Sequence, residues 1–232
     1  MKLFHVSDLH IRTDMENNKV VKDKLKLANS LMHEGDRLIL TGDIVDDGKE
    51  EQYKHAFDLL GVFRDRIILI PGNHDFGSEG IIYEKACEDR YNKLVKDLGS
   101  PSTSVSGNVG VIVLDSNMRW LRFFAEGEVG FVQRTKLGLT LSAFKRKNLY
   151  TVVALHHSPF DHDIGMKLRD HDEFLTKVYG KADLVLFGHT HHRDSYRWPK
   201  TGEKPPLTRL ECAGALFYED TEILTFEVGT KA

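Results

Sequence analysis

The chain has 232 residues, 41% of them hydrophobic, 29% charged and 9% aromatic, with a net charge of −3. That balance excludes a disordered chain, and the length suits one domain, 1–232, with a sizeable core. The charge argues against a general nucleic-acid scaffold, which carries a basic excess, although bound metal ions can give a nuclease its positive charge locally.

In chain order, short apolar runs alternate with helical patterns. Residues 3–6, 38–40 and 67–70 read as buried strands, each running straight into polar ligand-type residues. Between them Val21, Leu25, Ala28 and Met32 form one helical stripe, and Tyr53, Ala56, Phe57 and Leu60 another. This β-α-β-α-β order, with about 30 residues per unit, predicts parallel strands whose C-terminal ends share one rim. Cys87 falls on an apolar helical face with Tyr91, Leu94 and Leu98. Residues 109–114 predict a strand ending in Asp115, and Leu137, Leu141 and Phe144 a helix. Strands follow at 151–155 and 184–187; Cys212 alternates with Leu210 in another. Leu224, Phe226 and Val228 predict a half-buried antiparallel closing strand. The stretch 199–206 reads as a hairpin loop.

The N-terminal apolar run, interrupted by Asp8, is too short for a signal-peptide core, and none approaches the ~20 residues that span a bilayer. Two cysteines suggest neither a disulfide framework nor a zinc knuckle. A cytoplasmic enzyme is the expectation.

Seven of the 12 histidines lie in or beside five motifs at strand ends: Asp8-Leu9-His10, Gly42-Asp43 with Asp46, Gly72-Asn73-His74-Asp75, His156-His157, and Gly188-His189-Thr190-His191-His192. Taken singly, Asp-x-His is as readily a solvated pair or a helix cap, and Gly-Asp is ordinary turn chemistry. Together, five strand ends carrying carboxylate, imidazole and carboxamide donors have no good structural explanation. These donors suit Mn, Fe, Zn, Ni or Co, and they outnumber what one ion can use. The economical reading is two divalent metal ions sharing a ligand, the arrangement that clamps both oxygens of an in-line phosphoryl displacement.

The ordered set resembles the calcineurin-like metallophosphoesterase family across residues 5–191. The resemblance implies a four-layer α/β/β/α sandwich of two mixed β-sheets around a dinuclear centre. It implies that Asp8, His10 and His191 bind the first metal, that Asn73, His156 and His189 bind the second, and that Asp43 bridges them. His74 resembles the family's catalytic histidine, set to protonate the leaving oxygen or to bond a non-bridging one, while a metal-bridging hydroxide attacks phosphorus. Every ligand position is filled, which argues against a non-catalytic scaffold on the same fold.

His156 follows directly on its strand and is preferred as the ligand; His157 is either a pocket residue or a satisfied structural histidine. Asp46 and Asp75 are read as carboxylates that orient ligand imidazoles, with turn capping as the alternative. His192 is expected to be a plain exposed histidine. The aromatic segment 117–124, containing Trp120, would wall the pocket, form a dimer surface or, the preferred reading, pack onto the core. His162, Asp163, Arg169, Asp170 and His171 would form a specificity loop or simply be solvated. The expected function is phosphodiester or phosphomonoester hydrolysis on a nucleotide-like or other small substrate, most like the cyclic-nucleotide and glycerophosphodiester branch. The alternative is a repair-exonuclease type of DNA nuclease, whose N-terminal pattern Phe4-His5-Val6-Ser7-Asp8-Leu9-His10 also resembles. No obvious DNA-capping domain or coiled-coil insertion accompanies it here.

Overall fold

The N-terminal apolar runs become β1 (Lys2–Val6), β2 (Arg37–Thr41) and β3 (Ile67–Ile70), joined by α1 (Lys19–Leu31) and α2 (Glu50–Leu60). They are seen in a computed structural model that describes residues 1–16, 18–119, 125–160, 165–198 and 208–229. After α3 (Lys85–Asp97) come β4 (Thr103–Ser106), β5 (Val109–Val113), α4 (Gly130–Arg146), β6 (Tyr150–Ala154), α5 (His171–Val178) and β7 (Leu184–Phe187). β8 (Asp194–Trp198), β9 (Thr208–Cys212) and β10 (Leu224–Glu227) complete the described elements. None of the described helices is long and apolar enough to cross a membrane.

The strands form two mixed sheets. One has the order β10-β1-β2-β3, the other β4-β5-β6-β7-β9-β8. The strands β1, β2 and β3 are mutually parallel, as are β5, β6, β7 and β9, whereas β10, β4 and β8 pair antiparallel as edges. Strands buried on both faces explain the unbroken apolar runs. Along β1, Phe4 and Val6 face the helices, packing with Val21, Leu25 and Tyr53, while Leu3 faces the second sheet with Ile39, Val111 and Val152. A third apolar layer joins the second sheet to α4 and α5 through Val153, Val185, Leu141 and Phe174. Three apolar layers separate four layers of structure, which gives the α/β/β/α sandwich. Each fully buried aliphatic or phenyl side chain contributes about 1.5–3 kcal/mol.

Register fixes where the motifs emerge. Val6 pairs with Leu40, and Leu40 with Leu69, so β1, β2 and β3 end level. Val153 of β6 faces Val185 of β7, which aligns the second sheet's delivering strands. The closing strand pairs antiparallel with β1, as its alternation implied. Cys87 and Cys212 are buried free thiols.

Two regions differ from expectation, and a third, the described part of 117–124, follows its preferred reading. The polar edge strands β4 and β8 carry no buried-strand signature. Residues 169–171 do not form a wholly solvated loop: Asp170 is buried, accepts from Val129 N at 3.0 Å and Gly130 N at 2.9 Å, and pairs with Arg134, which ties down the start of α4. His171 begins α5. In segment 117–124, Asn117 and Met118 are buried and Arg119 lies over the Phe76 ring at 5.1 Å. Residues 120–124, His162, Asp163 and the expected hairpin 199–206 lie outside the described residues.

Candidate metal centre

Alternation along a straight strand does not explain how Asp8 and His10 converge. Both are in the left-handed region, φ 53° and 43°, as are Asp43 (50°), His189 (76°) and His191 (60°). Such conformations cost on the order of 1–3 kcal/mol each for a residue with a side chain and persist where their surroundings over-determine them. Here Asp8 N and His10 N donate to Gly42 O and Asp43 O, both at 3.0 Å, so the two loops run side by side beyond the ends of their strands. Gly42, φ 98°, is required for space as well: a Cβ there would stand 2.3 Å from His156 Nδ1. At Gly188 a Cβ would stand 1.8 Å from Ser7 Oγ, the close approach expected of that motif.

The five motifs meet at one rim. Around Asp8 and Asp43, His10 Nε2 stands 3.6 Å from Asp43 Oδ2 and 3.1 Å from His191 Nε2, and His191 Nε2 is 3.5 Å from Asp8 Oδ1. Beside this group, His156 Nε2 stands 3.4 Å from Asp43 Oδ2, 3.0 Å from Asn73 Oδ1 and 3.1 Å from His189 Nδ1. Asp43 belongs to both groups.

Partners outside the cluster set which atoms point in. His156 Nδ1 donates to the Thr41 carbonyl at 2.7 Å, which fixes a proton on Nδ1 and turns Nε2 inward. His10 Nδ1 likewise donates to Asp46 Oδ1 at 3.0 Å. Asn73 Nδ2 donates to Gly80 O at 3.2 Å, which turns Oδ1 toward His156. Asp46 thus touches the imidazole it was expected to orient. Asp75 takes the turn-capping alternative: it accepts from Ile44 N, Val45 N and Gly72 N at 2.8–3.1 Å, clamping the Asp43 and Asn73 loops together. His157 bonds Ser116 Oγ through Nδ1 at 2.7 Å and buttresses the rings of His156 and His189 from beneath, while His192 is exposed.

His74 is half-buried and stands apart in its contacts. Its Nδ1 donates to Asp46 O at 2.7 Å and its backbone N to Asp43 Oδ1 at 3.0 Å. His10, Asp46 and His74 are also close enough to hold an ion. Within that group Asp46 already accepts from both rings, through Oδ1 from His10 Nδ1 and through its carbonyl from His74 Nδ1.

Electrostatics call for positive charge here. Burial works against protonating His156, but the Asp43 carboxylate more than offsets it and lifts that imidazole to about 9. Burial would also raise Asp43, yet His156, His74 and His10 hold it well below the usual carboxylate range. His189 goes the other way, pushed down to about 3 by burial and by His156, which keeps it neutral. Burial and the Asp43 charge lift Asp75 to about 7. Carboxylate, carboxamide and imidazole groups crowd together across the cluster, and the buried Asp8 Oδ1 and His189 Nε2 have no hydrogen-bond partner. Donors about 2.1 Å from a shared ion stand about 3.0–3.4 Å apart, close to the 3.0–3.6 Å spacings here. The residues present therefore fit two divalent cations. Sequence reasoning missed the Thr41 carbonyl, Ser116 and Phe217, whose ring stands edge-on to His10 and His191 at 5.4 and 5.6 Å. None of the three carries a motif signal.

A shared carboxylate between two donor clusters, at the strand-end rim of an α/β/β/α sandwich, defines a dinuclear metal-dependent hydrolase. Residues 1–193 match the calcineurin-like phosphoesterase family, and the chain belongs to it. A probable cyclic nucleotide phosphodiesterase of Coxiella burnetii is 27% identical over 208 residues, 83% of this chain and 76% of the relative. A glycerophosphodiester phosphodiesterase of Enterobacter lignolyticus is 36% identical over 110 residues, 43% of this chain and 36% of that one. Among solved structures, a dimetal phosphatase of Danio rerio superposes with a TM-score of 0.65 at 11% identity, covering 94% of this chain and 88% of that one. That last likeness concerns the fold. The protein is a metal-dependent phosphoester hydrolase with two divalent ions.

Proposed function

We propose that residues 1–232 act as one catalytic unit, a phosphodiesterase for small, nucleotide-like substrates. The observation that carries this reading is the pair of donor clusters joined at Asp43. Asp8, His10 and His191 would hold one ion with Asp43, and Asn73, His156 and His189 would hold the other with it. Relatives named as cyclic nucleotide and glycerophosphodiester phosphodiesterases support a diester substrate. The two free thiols favour a reducing compartment such as the cytoplasm.

When bound, the ions neutralise charge on the phosphoryl oxygens and acidify the attacking water. The protein's own groups do the rest. Asp43, with its strained backbone and its neighbours His10 and His156, keeps the two clusters at fixed separation. Asp46 fixes the His10 tautomer, and the Thr41 carbonyl fixes that of His156. His74, anchored through Nδ1 on Asp46 O, presents Nε2 to the substrate; protonated, it donates to the leaving oxygen, which departs as an alcohol.

Small esters should be hydrolysed better than polymeric DNA. A polymer draws much of its affinity from phosphate contacts and counterion release, which fall steeply with salt. A small ester held at the metals lacks that dependence, and the net charge of −3 gives no overall attraction for a polyanion. Turnover of bis(p-nitrophenyl) phosphate, a cyclic nucleotide and single-stranded DNA across a salt series checks this. Efficient, salt-sensitive DNA degradation with negligible activity on the small esters would reverse the assignment in favour of a nuclease.

A further inference from the structure

The loop between β9 and β10 carries Phe217 and Tyr218 over the His10–His191 edge of the metal cluster. Beside it opens a cavity of about 420 Å³, lined by His191, His192, Arg193, Tyr218, Asp220 and Glu222, among others. That volume lies within the range of small-molecule sites. His191 belongs both to this lining and to the donor cluster, so the cavity adjoins the metal cluster. From the structure we infer that this cavity is a nucleobase subsite, in which the ring of Tyr218 stacks on the base of the substrate. The inference rests on the diesterase reading above and adds the part of the substrate remote from phosphorus.

Three observations support it. Tyr218 as a residue is 45% exposed, and apart from Phe131 on α4 it is the only aromatic among the large, exposed apolar residues of those described. Exposed as it is, it is held in place: it packs on Phe217 at 4.3 Å between ring centroids, its carbonyl accepts from Lys24 Nζ and Thr221 N, and its N–H donates to Ala215 O. A fixed ring loses little freedom on stacking, and any base presents a π-face to it. The rim carries charges of both signs. Arg193 pairs with Glu222 at 3.3 Å, and Lys24 faces Asp220 and Glu219. Such a rim offers hydrogen-bond donors and acceptors to the edge of a base.

The test compares Tyr218→Ala and Tyr218→Phe in the metal-loaded protein. Substrates are 3′,5′-cyclic AMP and glycerophosphoethanolamine; binding is measured calorimetrically for AMP and for ribose 5-phosphate, which lacks a base. Tyr218→Ala should raise KM for cyclic AMP by about tenfold or more, the scale of a lost base–aromatic stack, and weaken AMP by a similar factor. Ribose 5-phosphate should bind with the same affinity to wild type and Tyr218→Ala, and Tyr218→Phe should restore AMP binding. Equal losses for AMP and ribose 5-phosphate, a larger KM change for glycerophosphoethanolamine than for cyclic AMP, or unchanged AMP affinity in Tyr218→Ala would each overturn the subsite. Hydrolysis of neither diester by wild type contradicts the diesterase reading instead, and the AMP comparison then still decides the subsite by itself.

Discussion

Asp43→Asn is expected to lower turnover by about 10³-fold or more and to weaken both metal sites together. The metal contribution to charge stabilisation at a phosphoryl transition state is several kcal/mol, and about 4 kcal/mol corresponds to roughly 10³-fold. Asp43 is the single side chain common to both clusters, with Oδ2 at 3.6 Å from His10 Nε2 and 3.4 Å from His156 Nε2. An amide at that position removes a full negative charge from each. It also leaves the buried His156, now lifted by that charge, without its counter-ion. Asp8→Asn should act differently, weakening mainly the site shared with His10 and His191. Metal titrations of the two variants separate these patterns. Both metals retained in Asp43→Asn, with near-normal turnover, would show that Asp43 does not bridge.

His74→Ala should lower turnover by roughly 10²–10⁴-fold, the range for a lost general acid or base, with metal content near wild type. The reason lies in its hydrogen bonds. Its Nδ1 is committed to Asp46 O and its backbone N to Asp43 Oδ1, so the ring is positioned by the cluster without belonging to either donor group. A proton donor matters most when the leaving group is a poor one. The loss should therefore be smaller for nitrophenyl than for alkyl esters. Equal losses for both would contradict proton donation and leave hydrogen bonding to a non-bridging oxygen, whereas loss of a metal would make His74 a ligand.

Much of the sandwich was legible because its central strands are parallel and buried on both faces. That makes 67–70 an unbroken apolar run and puts the ligand motif immediately after it. The stripes at Val21, Leu25 and Ala28 and at Tyr53, Ala56 and Leu60 were legible for a related reason: each helix buries one face on a sheet. The edges were not. In β4, Thr103 to Ser106 alternates exposed and half-buried positions with its one apolar residue, Val105, on the exposed side, and only pairing with β5 makes it a strand.

The candidate site divides in the same way. Its donor types and their strand-end positions were written in the motifs. Their convergence was not, because the left-handed turns at Asp8, His10, Asp43, His189 and His191 arise from loop-to-loop hydrogen bonds that no local propensity encodes. Asp75 was misread for a similar reason. A carboxylate next to a histidine suggests an imidazole partner, yet its donors are backbone N–H groups, of Gly72 in its own turn and of Ile44 and Val45 in a loop about 30 residues away. Tyr218 follows no motif and gains its meaning only from its place beside His191.

Equilibrium dialysis of metal-stripped protein against Mn or Zn, with bound metal counted per chain, tests the dinuclear centre most directly. Two ions should bind per chain, with turnover rising as the second site fills. Saturation at one ion per chain with full activity would contradict it.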